Sequence, residues 1–163
     1  MPNWCANRVA FSHSDTDMIG RVATAITTGL FSDFLPCDDP DKMKSCWMWP
    51  EWNCQHWGTK WDVKLPQTKV AEYLHGQTTI ELSFDTAWAP PTAFYEHMES
   101  LGFTVSADYY EPSWPFCGTY HCGENVHYDI QGNADWVRNN IPEEINNLWG
   151  IADDMDEWEQ DTV

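Results

Sequence analysis

Apolar and polar residues alternate in several short stretches of the chain, which is the pattern of a half-buried β-strand. The strands predicted from this pattern span residues 4–11, 57–65, 78–84, 103–109 and 126–130. In the third of them Ile80, Leu82 and Phe84 share one face, so we expect that face to lie against a hydrophobic core.

Two longer stretches have the apolar spacing of an amphipathic helix. The first follows a candidate N-cap at Ser14 or Asp15 and ends near Gly29. Its apolar positions are Met18, Ile19, Val22, Ile26 and Leu30. The second begins at Pro91 and ends at Gly102. Shorter helices are predicted from Pro66 to about Gly76 and between the Gly132-Asn133 turn and Trp149.

This order of elements predicts an α+β fold of one domain. Strand, helix, strand, strand, helix and strand suggest a ferredoxin-like sandwich, in which two main helices cover one face of an antiparallel sheet. The predicted domain spans residues 1–130 and contains an irregular loop at 32–56. A short helical extension at 131–150 and an acidic tail at 151–163 follow it. The Cys spacings of an iron–sulfur ferredoxin are absent from the sequence.

Four short stretches carry motifs of a known family. They are Pro2-Asn3-Trp4-Cys5-Ala6-Asn7, Trp57-Gly58-Thr59-Lys60-Trp61-Asp62, Phe84-Asp85-Thr86-Ala87-Trp88-Ala89-Pro90-Pro91, and Tyr110-Glu111 followed by Phe116 and Gly118. In this order they resemble the YubB ferredoxin-like family, a set of phage- and plasmid-borne proteins. The similarity covers roughly residues 1–118, and Ala89 stands where the family usually has Ser. The resemblance implies the fold and a mobile-element origin; it implies no activity and no catalytic residue.

Negative charge is concentrated in the second half of the chain. Residues 70–163 hold eighteen Asp and Glu and one basic residue, Arg138, which gives a net charge of −17. Residues 1–69 hold eight acids and seven bases, a net charge of −1. So one-sided an excess indicates a need for solubility or a basic partner. Direct binding to nucleic acid or to an anionic membrane is disfavoured, because both need clustered Lys and Arg.

The last segment combines charge with an apolar stripe. Ile151, Met155 and Trp158 recur at the spacing of one helical face, among six acids and no bases. The segment is therefore either a frayed, solubilising tail or an acidic amphipathic element that docks on a basic-rimmed groove. The predicted partner-binding residues are Glu124, Asp129, Glu143, Glu144, Asp153, Asp154, Met155, Asp156, Glu157, Trp158, Glu159 and Asp161.

The aromatic motifs suggest an alternative site. Packing is the ordinary role of such rings, but they also favour a pocket with a few convergent polar groups. The candidate pocket residues are Trp57, Lys60, Trp61, Asp85 and Trp88, with Lys60 paired to Asp85 or to Asp62. The alternative function is accordingly that of a small-ligand- or metal-binding domain.

Enzymatic and metal chemistry have weaker support. No nucleophile elbow, Walker loop or dinucleotide fingerprint occurs, and His97 between acids on a predicted helix is typical of a solvated histidine. Two groups of Cys and His, at Cys46, Cys54 and His56 and at Cys117, His121 and Cys122, lack a standard zinc spacing. We therefore expect no catalytic residue, no cofactor and no metal. If a metal is bound, the first candidate ligands are Cys117, His121 and Cys122.

These observations predict a non-enzymatic accessory protein of a phage or plasmid that mimics nucleic acid. Its expected partner is a basic host protein, namely a nucleic-acid-binding defence protein. The start of the chain shows no secretory signal pattern, so we expect reduced thiols and a location in the host cytosol.

Overall fold

A five-stranded antiparallel sheet organises the fold, in the strand order β2-β1-β3-β4-β5. The computed structural model describes residues 3–38, 49–66 and 76–161. The strands are β1 (Trp4–Ser12), β2 (Thr79–Ala87), β3 (Thr104–Glu111), β4 (Phe116–His121) and β5 (Glu124–Asp129). The α+β class is thereby confirmed.

The described helices lie on both faces of this sheet. They are α1 (Thr16–Thr28), α2 (Leu30–Phe34), α3 (Trp49–His56), α4 (Thr92–Ser100), α5 (Ala134–Asn140), α6 (Glu143–Trp149) and α7 (Ile151–Asp161). Asp15 caps α1 as predicted, because its carboxylate accepts the backbone N–H of Asp17. None of the helices among the described residues combines the length and the apolar character that crossing a bilayer requires.

The first core lies between the sheet and helices α1, α2 and α4. Alternate residues of β1 and β2 point into it, including Val9, Phe11 and, as predicted, Ile80, Leu82 and Phe84. Helix α1 contributes its apolar stripe to the same cluster. The binary pattern of the first strand and helix therefore fixes which face of the sheet is covered.

The second core lies on the opposite face of the sheet, beneath α5, α6 and α7. Its buried members include Cys117 of β4, Val137, Ile145 and Ile151. Cys117 pairs with Tyr110 and Tyr128 across the ladders, and both tyrosines pack against this cluster. The C-terminal helices thus form a layer of their own over the β3–β4–β5 half of the sheet.

The predicted strand at 57–65 is wrong. This segment is irregular and ties the end of α1 to the start of α2: the Val63 carbonyl accepts the N–H of Leu30, and Leu65 donates to the Ile26 carbonyl. Asp62 accepts the backbone N–H groups of Phe31 and Ser32. Serving the helix ends leaves this backbone outside the sheet, and β2 is the last strand on its side of the described sheet.

One further expectation needs correction, one strand was not predicted, and one predicted helix concerns residues that the structure does not describe. The region 32–56 is not wholly irregular, because α2 runs to Phe34 and α3 occupies Trp49–His56. Strand β4 was not predicted, since its Cys and Gly interrupt the apolar alternation. The helix predicted between Pro66 and Gly76 falls on 67–75, outside the described residues.

Candidate functional site

Three tryptophans meet at one end of the sheet and form a surface that we name the tryptophan platform: Trp4, Trp61 and Trp88. Trp4 opens β1 opposite Ala87, the last residue of β2, and the Trp88 N–H donates to the Asn3 carbonyl at 2.9 Å. Their exposures are 47%, 43% and 48%, respectively. Rings of this size that stay half exposed side by side are typical of a binding surface.

Lys60 lies within this platform. Its Nζ is 5.1 Å from the Trp61 ring centroid and 4.7 Å from that of Trp88, while the Trp4 and Trp61 rings are 5.8 Å apart. The platform therefore already holds one ammonium group against two aromatic faces, which is the cation–π arrangement. The structure brings the predicted Lys60, Trp61 and Trp88 together and adds Trp4, which the motif spacing did not reveal.

Trp57, the remaining predicted pocket tryptophan, lies apart from the platform in the first core. It is 3% exposed, its indole N–H donates to the Leu35 carbonyl at 3.0 Å, and its ring packs on Phe31. Trp57 thus stabilises the packing of the 49–66 region and does not line the site.

Trp88 has a φ of 72°, in the left-handed region that a bulky residue rarely adopts. A set of buried and partly buried hydrogen bonds holds this turn. The Thr86 hydroxyl donates to the Ala89 carbonyl, and the Thr59 hydroxyl donates to the Ala87 carbonyl, both at 2.8 Å. The Asn7 amide donates to Thr86 Oγ1 at 2.8 Å. Residues from three of the four sequence motifs therefore cooperate to hold one strained backbone position, as is common at functional sites.

Two adjoining grooves run from the platform along β2. One has a volume of about 350 Å³ and is lined by Trp4, Trp61 and Asp85. The other has a volume of about 750 Å³ and includes Arg8 and Glu81 in its lining. Both are lined by Leu65, Phe84 and Asp85. Asp85, the last predicted pocket residue, is thus shared by both grooves.

The C-terminal helices α5, α6 and α7 form the second candidate surface, which we name the acidic layer. Residues 134–161 contain nine acids and one base, so the net charge is −8. The acids are Asp135, Glu143, Glu144, Asp153, Asp154, Asp156, Glu157, Glu159 and Asp161. Glu143, Glu144, Asp153, Asp154, Glu157 and Glu159 are exposed.

Arg138 is bound within the acidic layer. Its guanidinium lies 2.6 Å from an Asp156 oxygen, 3.2 Å from Asp153 and 3.7 Å from Asp135. The hydrogen bond to Asp156 raises the Arg138 pKa further above its usual value. These contacts join α5 to α7. Because Arg138 is the one basic residue after Lys69, residues 134–161 contain no second basic side chain that could pair with the glutamates of the layer.

The predicted apolar stripe of α7 divides into an anchor and an exposed end. Ile151 is buried in the second core, Met155 is partly buried, and Trp158 is 79% exposed. Met155 and Trp158 line a groove of about 510 Å³ together with Tyr110 and Pro112. The segment is helical from Ile151 to Asp161 and packs against the second core through Ile151, Ala152 and Met155, so the alternative of a frayed tail is wrong for that packed part.

The structure separates the other predicted partner-binding residues. Glu124 and Tyr128 of β5 share the face that the acidic layer covers, whereas Asp129 lies on the opposite face, where it contacts His127 Nε2 at 3.2 Å. The side chain of Asp161 lies outside the described residues. Asp129 therefore does not belong to the same surface as α7.

The candidate metal ligands are dispersed where the structure describes them. Cys117 is buried in the second core, whereas His121 and Cys122 are exposed at the β4–β5 turn, with Cys122 Sγ 3.6 Å from His121 Nε2. Cys54 is exposed and His56 stacks on Trp52, while Cys46 lies outside the described residues. No group of three or more His, Cys, Asp or Glu in metal-binding geometry occurs among the residues that the structure describes.

A polar cluster on β3 and β5 was not predicted from the sequence. The Tyr109 hydroxyl donates to Asn125 Oδ1 at 2.9 Å and lies 3.3 Å from His127 Nδ1. Burial raises the pKa of Tyr109 well above its ordinary value, so the phenol stays protonated at neutral pH. The cluster therefore offers no phenolate nucleophile at neutral pH, and the sequence does not predict it because Tyr109 reaches Asn125 across β4, a strand that the apolar pattern does not predict.

Comparisons of this chain with family models, with curated proteins and with solved structures gave no match.

Proposed function

We propose that the protein is a non-enzymatic accessory protein of a phage or plasmid that acts in the host cytosol as a nucleic-acid mimic. Its acidic layer would occupy the nucleic-acid-binding surface of a basic host defence protein. The observation that supports this proposal is the arrangement of α5–α7 as one packed layer with a net charge of −8. A loose solubilising tail has no need of a packed inner face.

The charge density of the layer is of the order that a duplex presents. Helix α7 has eleven residues, six of them acidic. At a rise of about 1.5 Å per residue it is about 16 Å long. Duplex DNA carries one charge per about 1.7 Å, or roughly nine charges over that length. Helix α7 together with Glu143 and Glu144 of α6 contains eight acids, of which Asp153 and Asp156 contact Arg138.

Groove residues beside the charge supply an anchor. Met155, Trp158 and Tyr110 line the groove of about 510 Å³ at the edge of the acidic layer. Exposed ion pairs contribute on the order of 0–1 kcal/mol each, so the carboxylates govern encounter and salt sensitivity. A buried aromatic contact contributes about 2 kcal/mol or more, so Trp158 is proposed as the residue that fixes the position of the partner.

The fold itself supports a mobile-element relative of the resembled family. Strand β2, helix α4 and strand β3 form a split βαβ unit with β1 between the two strands. We infer a ferredoxin-like sandwich in which the described residues form no outer strand beside β2 and the β4–β5 hairpin extends the sheet beyond β3. The proposed YubB relationship rests on the four sequence motifs, three of which supply the tryptophan platform and its supporting hydrogen bonds.

Retention of host proteins at varied salt tests the proposed function. The immobilised protein is expected to retain a basic nucleic-acid-binding protein at low salt, to lose it as salt rises, and to compete with duplex DNA for it. The test variant changes Glu143, Glu144, Glu157 and Glu159 to Gln, which leaves the Arg138 contacts intact. We name it the layer variant.

The matched control removes four exposed acids elsewhere: Asp17, Asp38, Glu51 and Glu96, changed to Asn or Gln. Both variants lose four charges, so their net charge is the same. The layer variant should lose the partner and the control should keep it. Equal retention by the two would show that position of the charge is irrelevant, and the proposed function would then be abandoned.

A further inference from the structure

The groove of about 510 Å³ at the edge of the acidic layer, which we name the α7 groove, combines aromatic surface with negative charge. Tyr110 and Pro112 line it from the end of β3, and Met155 and Trp158 line it from α7. The other lining residues come from α7 and from the turn before α5: Asp154, Glu159, Gly132 and Asn133. A ligand in this groove would therefore touch two aromatic rings and two carboxylates.

Helix α7 separates its acids into two sets. Asp153 and Asp156 lie 3.2 Å and 2.6 Å from the Arg138 guanidinium, on the side of the helix that meets α5. Asp154 and Glu159 line the α7 groove instead, and both are exposed. Among the described residues, no Lys or Arg lines this groove. Its described lining thus carries two negative charges and no positive one.

The other polar side chains of the α7 groove do not oppose a cation. Asn133 Oδ1 accepts the backbone N–H of Trp136 at 3.1 Å, so the carboxamide oxygen caps α5. Burial raises the pKa of Tyr110, and the nearby Asp154 carboxylate raises it further. The phenol is therefore neutral at neutral pH and offers its ring beside a carboxylate.

These groups suit an arginine better than a lysine. A guanidinium group is planar, stacks on indole and phenol rings, and binds a carboxylate through two parallel N–H groups. Its methylene stem packs on apolar side chains, which Met155 and Pro112 provide here. An ammonium group is a compact charge that gives up its water less readily. A ring and a carboxylate close together, as at Trp158 and Glu159, therefore favour the guanidinium.

We propose that the α7 groove binds one arginine side chain of a protein partner, with the guanidinium stacked on Trp158 beside Asp154 and Glu159. The inference rests on the proposed function, because the partner is the same basic protein, and it adds the chemistry of one contact. Exposed carboxylates alone attract Lys and Arg about equally. The groove would make one position of the interface selective for arginine.

The probe is N-acetyl-arginine N-methylamide, titrated into the isotope-labelled full chain and followed by NMR. Binding should shift signals of 110–112, 132–133 and 154–159, including the indole N–H of Trp158, with a dissociation constant in the millimolar range. The lysine analogue and the citrulline analogue are the matched probes, since citrulline keeps the shape of arginine without its charge. The lysine probe should bind at least about threefold more weakly, and the citrulline probe at least about tenfold more weakly.

Single variants locate the contact. Glu159→Gln and Glu157→Gln each remove one exposed carboxylate from α7, but of the two only Glu159 lines the groove. Glu159→Gln should weaken the arginine probe by about two- to fivefold, whereas Glu157→Gln should leave its affinity unchanged. Trp158→Ala should weaken it by a similar factor, and Trp158→Phe should restore part of the loss. Thermal melts verify that each variant is folded.

A variant outside the groove separates this inference from the proposed function. Glu143, Glu144 and Glu157 are changed to Gln, which keeps Asp154 and Glu159. This variant should bind the arginine probe as the unaltered chain does, while it retains less of the basic host protein. If it loses the host protein but the probe fails to bind, the groove inference alone is overturned. If the probe binds and no basic protein is retained by the unaltered chain, the proposed function alone fails.

Three results would each overturn the groove inference. The first is the absence of a saturable shift at the groove residues up to about 50 mM arginine probe. The second is equal affinity for the arginine and lysine probes. The third is a loss of affinity on Glu157→Gln as large as that on Glu159→Gln, because the charge of the helix and not the groove would then attract the probe.

Discussion

Gly118 of β4 lies directly opposite Tyr109 of β3, and the phenol of Tyr109 occupies the space where a side chain at position 118 would stand. A Cβ atom there would overlap the Tyr109 hydroxyl and the Val126 carbonyl oxygen. The bare glycine thus allows Tyr109 to reach across β4 and donate to Asn125 on β5. Because position 118 has no side chain, the phenol of Tyr109 connects β3 to β5 across β4.

Gly118→Ala is expected to lower the free energy of unfolding by about 1–3 kcal/mol, the usual effect of forcing extra atoms into a packed site. Chemical denaturation measures the change. Thr119→Ala is the matched control, because it lies on the opposite face of the same strand and removes atoms instead of adding them. Its effect should stay below about 1 kcal/mol. A Gly118→Ala protein as stable as the control would refute the close contact.

Trp88 allows a direct measurement of backbone strain. Both Trp88→Ala and Trp88→Gly remove the ring, but only glycine adopts a φ of 72° without steric conflict. The Gly variant should therefore be more stable than the Ala variant by about 1 kcal/mol. At Trp61, whose φ is not positive, the order should reverse, with Ala the more stable. The same order at both positions would show that Trp88 is unstrained.

The two ends of the apolar stripe of α7 should behave differently. Ile151 is fully buried, so Ile151→Ala should lower the free energy of unfolding by about 2–5 kcal/mol. Trp158 is largely exposed, so Trp158→Ala should change it by less than about 0.5 kcal/mol while weakening partner binding. Denaturation curves and binding titrations of both variants check this. A large stability loss on Trp158→Ala would place that ring in the fold rather than in an interface.

Arg138 should make stability depend on salt in the acidic layer. Arg138→Gln leaves Asp135, Asp153 and Asp156 together without their cation, so the melting temperature should fall most at low salt and recover as salt screens the repulsion. Arg21→Gln is the matched control, since among the described residues Arg21 forms an ion pair with one carboxylate, that of Asp33. Its deficit should be smaller and less sensitive to salt. Equal salt profiles would contradict the role assigned to Arg138.

Cys117 links stability to alkaline pH. Burial raises the pKa of its thiol from 9.0 to about 11. Because the folded chain holds this proton more tightly than the unfolded chain, the stabilisation is complete below pH 9 and is lost as the pH rises towards 11. The free energy of unfolding of Cys117→Ala should therefore decline less over this range than that of the unaltered chain. Cys122→Ala removes an exposed thiol and is the control; a decline reduced as much by it would contradict the assignment to Cys117.

The sequence was informative where one face of an element is buried. Residues 4–11, 78–84 and 103–109 alternate because each covers the first core, and the structure has strands β1, β2 and β3 there. The helix after Asp15 was equally visible, since its apolar spacing and its cap agree. Such elements are specified locally, so their prediction required no knowledge of their neighbours.

Elements that depend on contacts between residues far apart in the chain could not be predicted from the sequence pattern. The segment 57–65 alternates like a strand, yet its backbone forms hydrogen bonds with Ile26 at the end of α1 and with Leu30 at the start of α2. The Asp62 carboxylate also accepts the backbone N–H of Phe31 in α2. Strand β4 contains Gly118, whose purpose is apparent only when Tyr109 is placed opposite. Of the candidate site, Lys60, Trp61 and Trp88 were predicted, but Trp4 joins them only because β1 pairs with β2.

The position of the second core on the far side of the sheet affects how this chain tolerates change. Helices α5–α7 pack mainly on the β3–β5 half of the sheet, Leu148 and Trp149 of α6 also line the groove beside β1 and β2, and the first core is buried on the opposite face. Substitutions on the outer surface of these helices therefore reach none of the residues that pack around Phe11 and Ile26. In such a chain, the charged side chains that a partner contacts can change one at a time, while the sheet and the first core keep their stability.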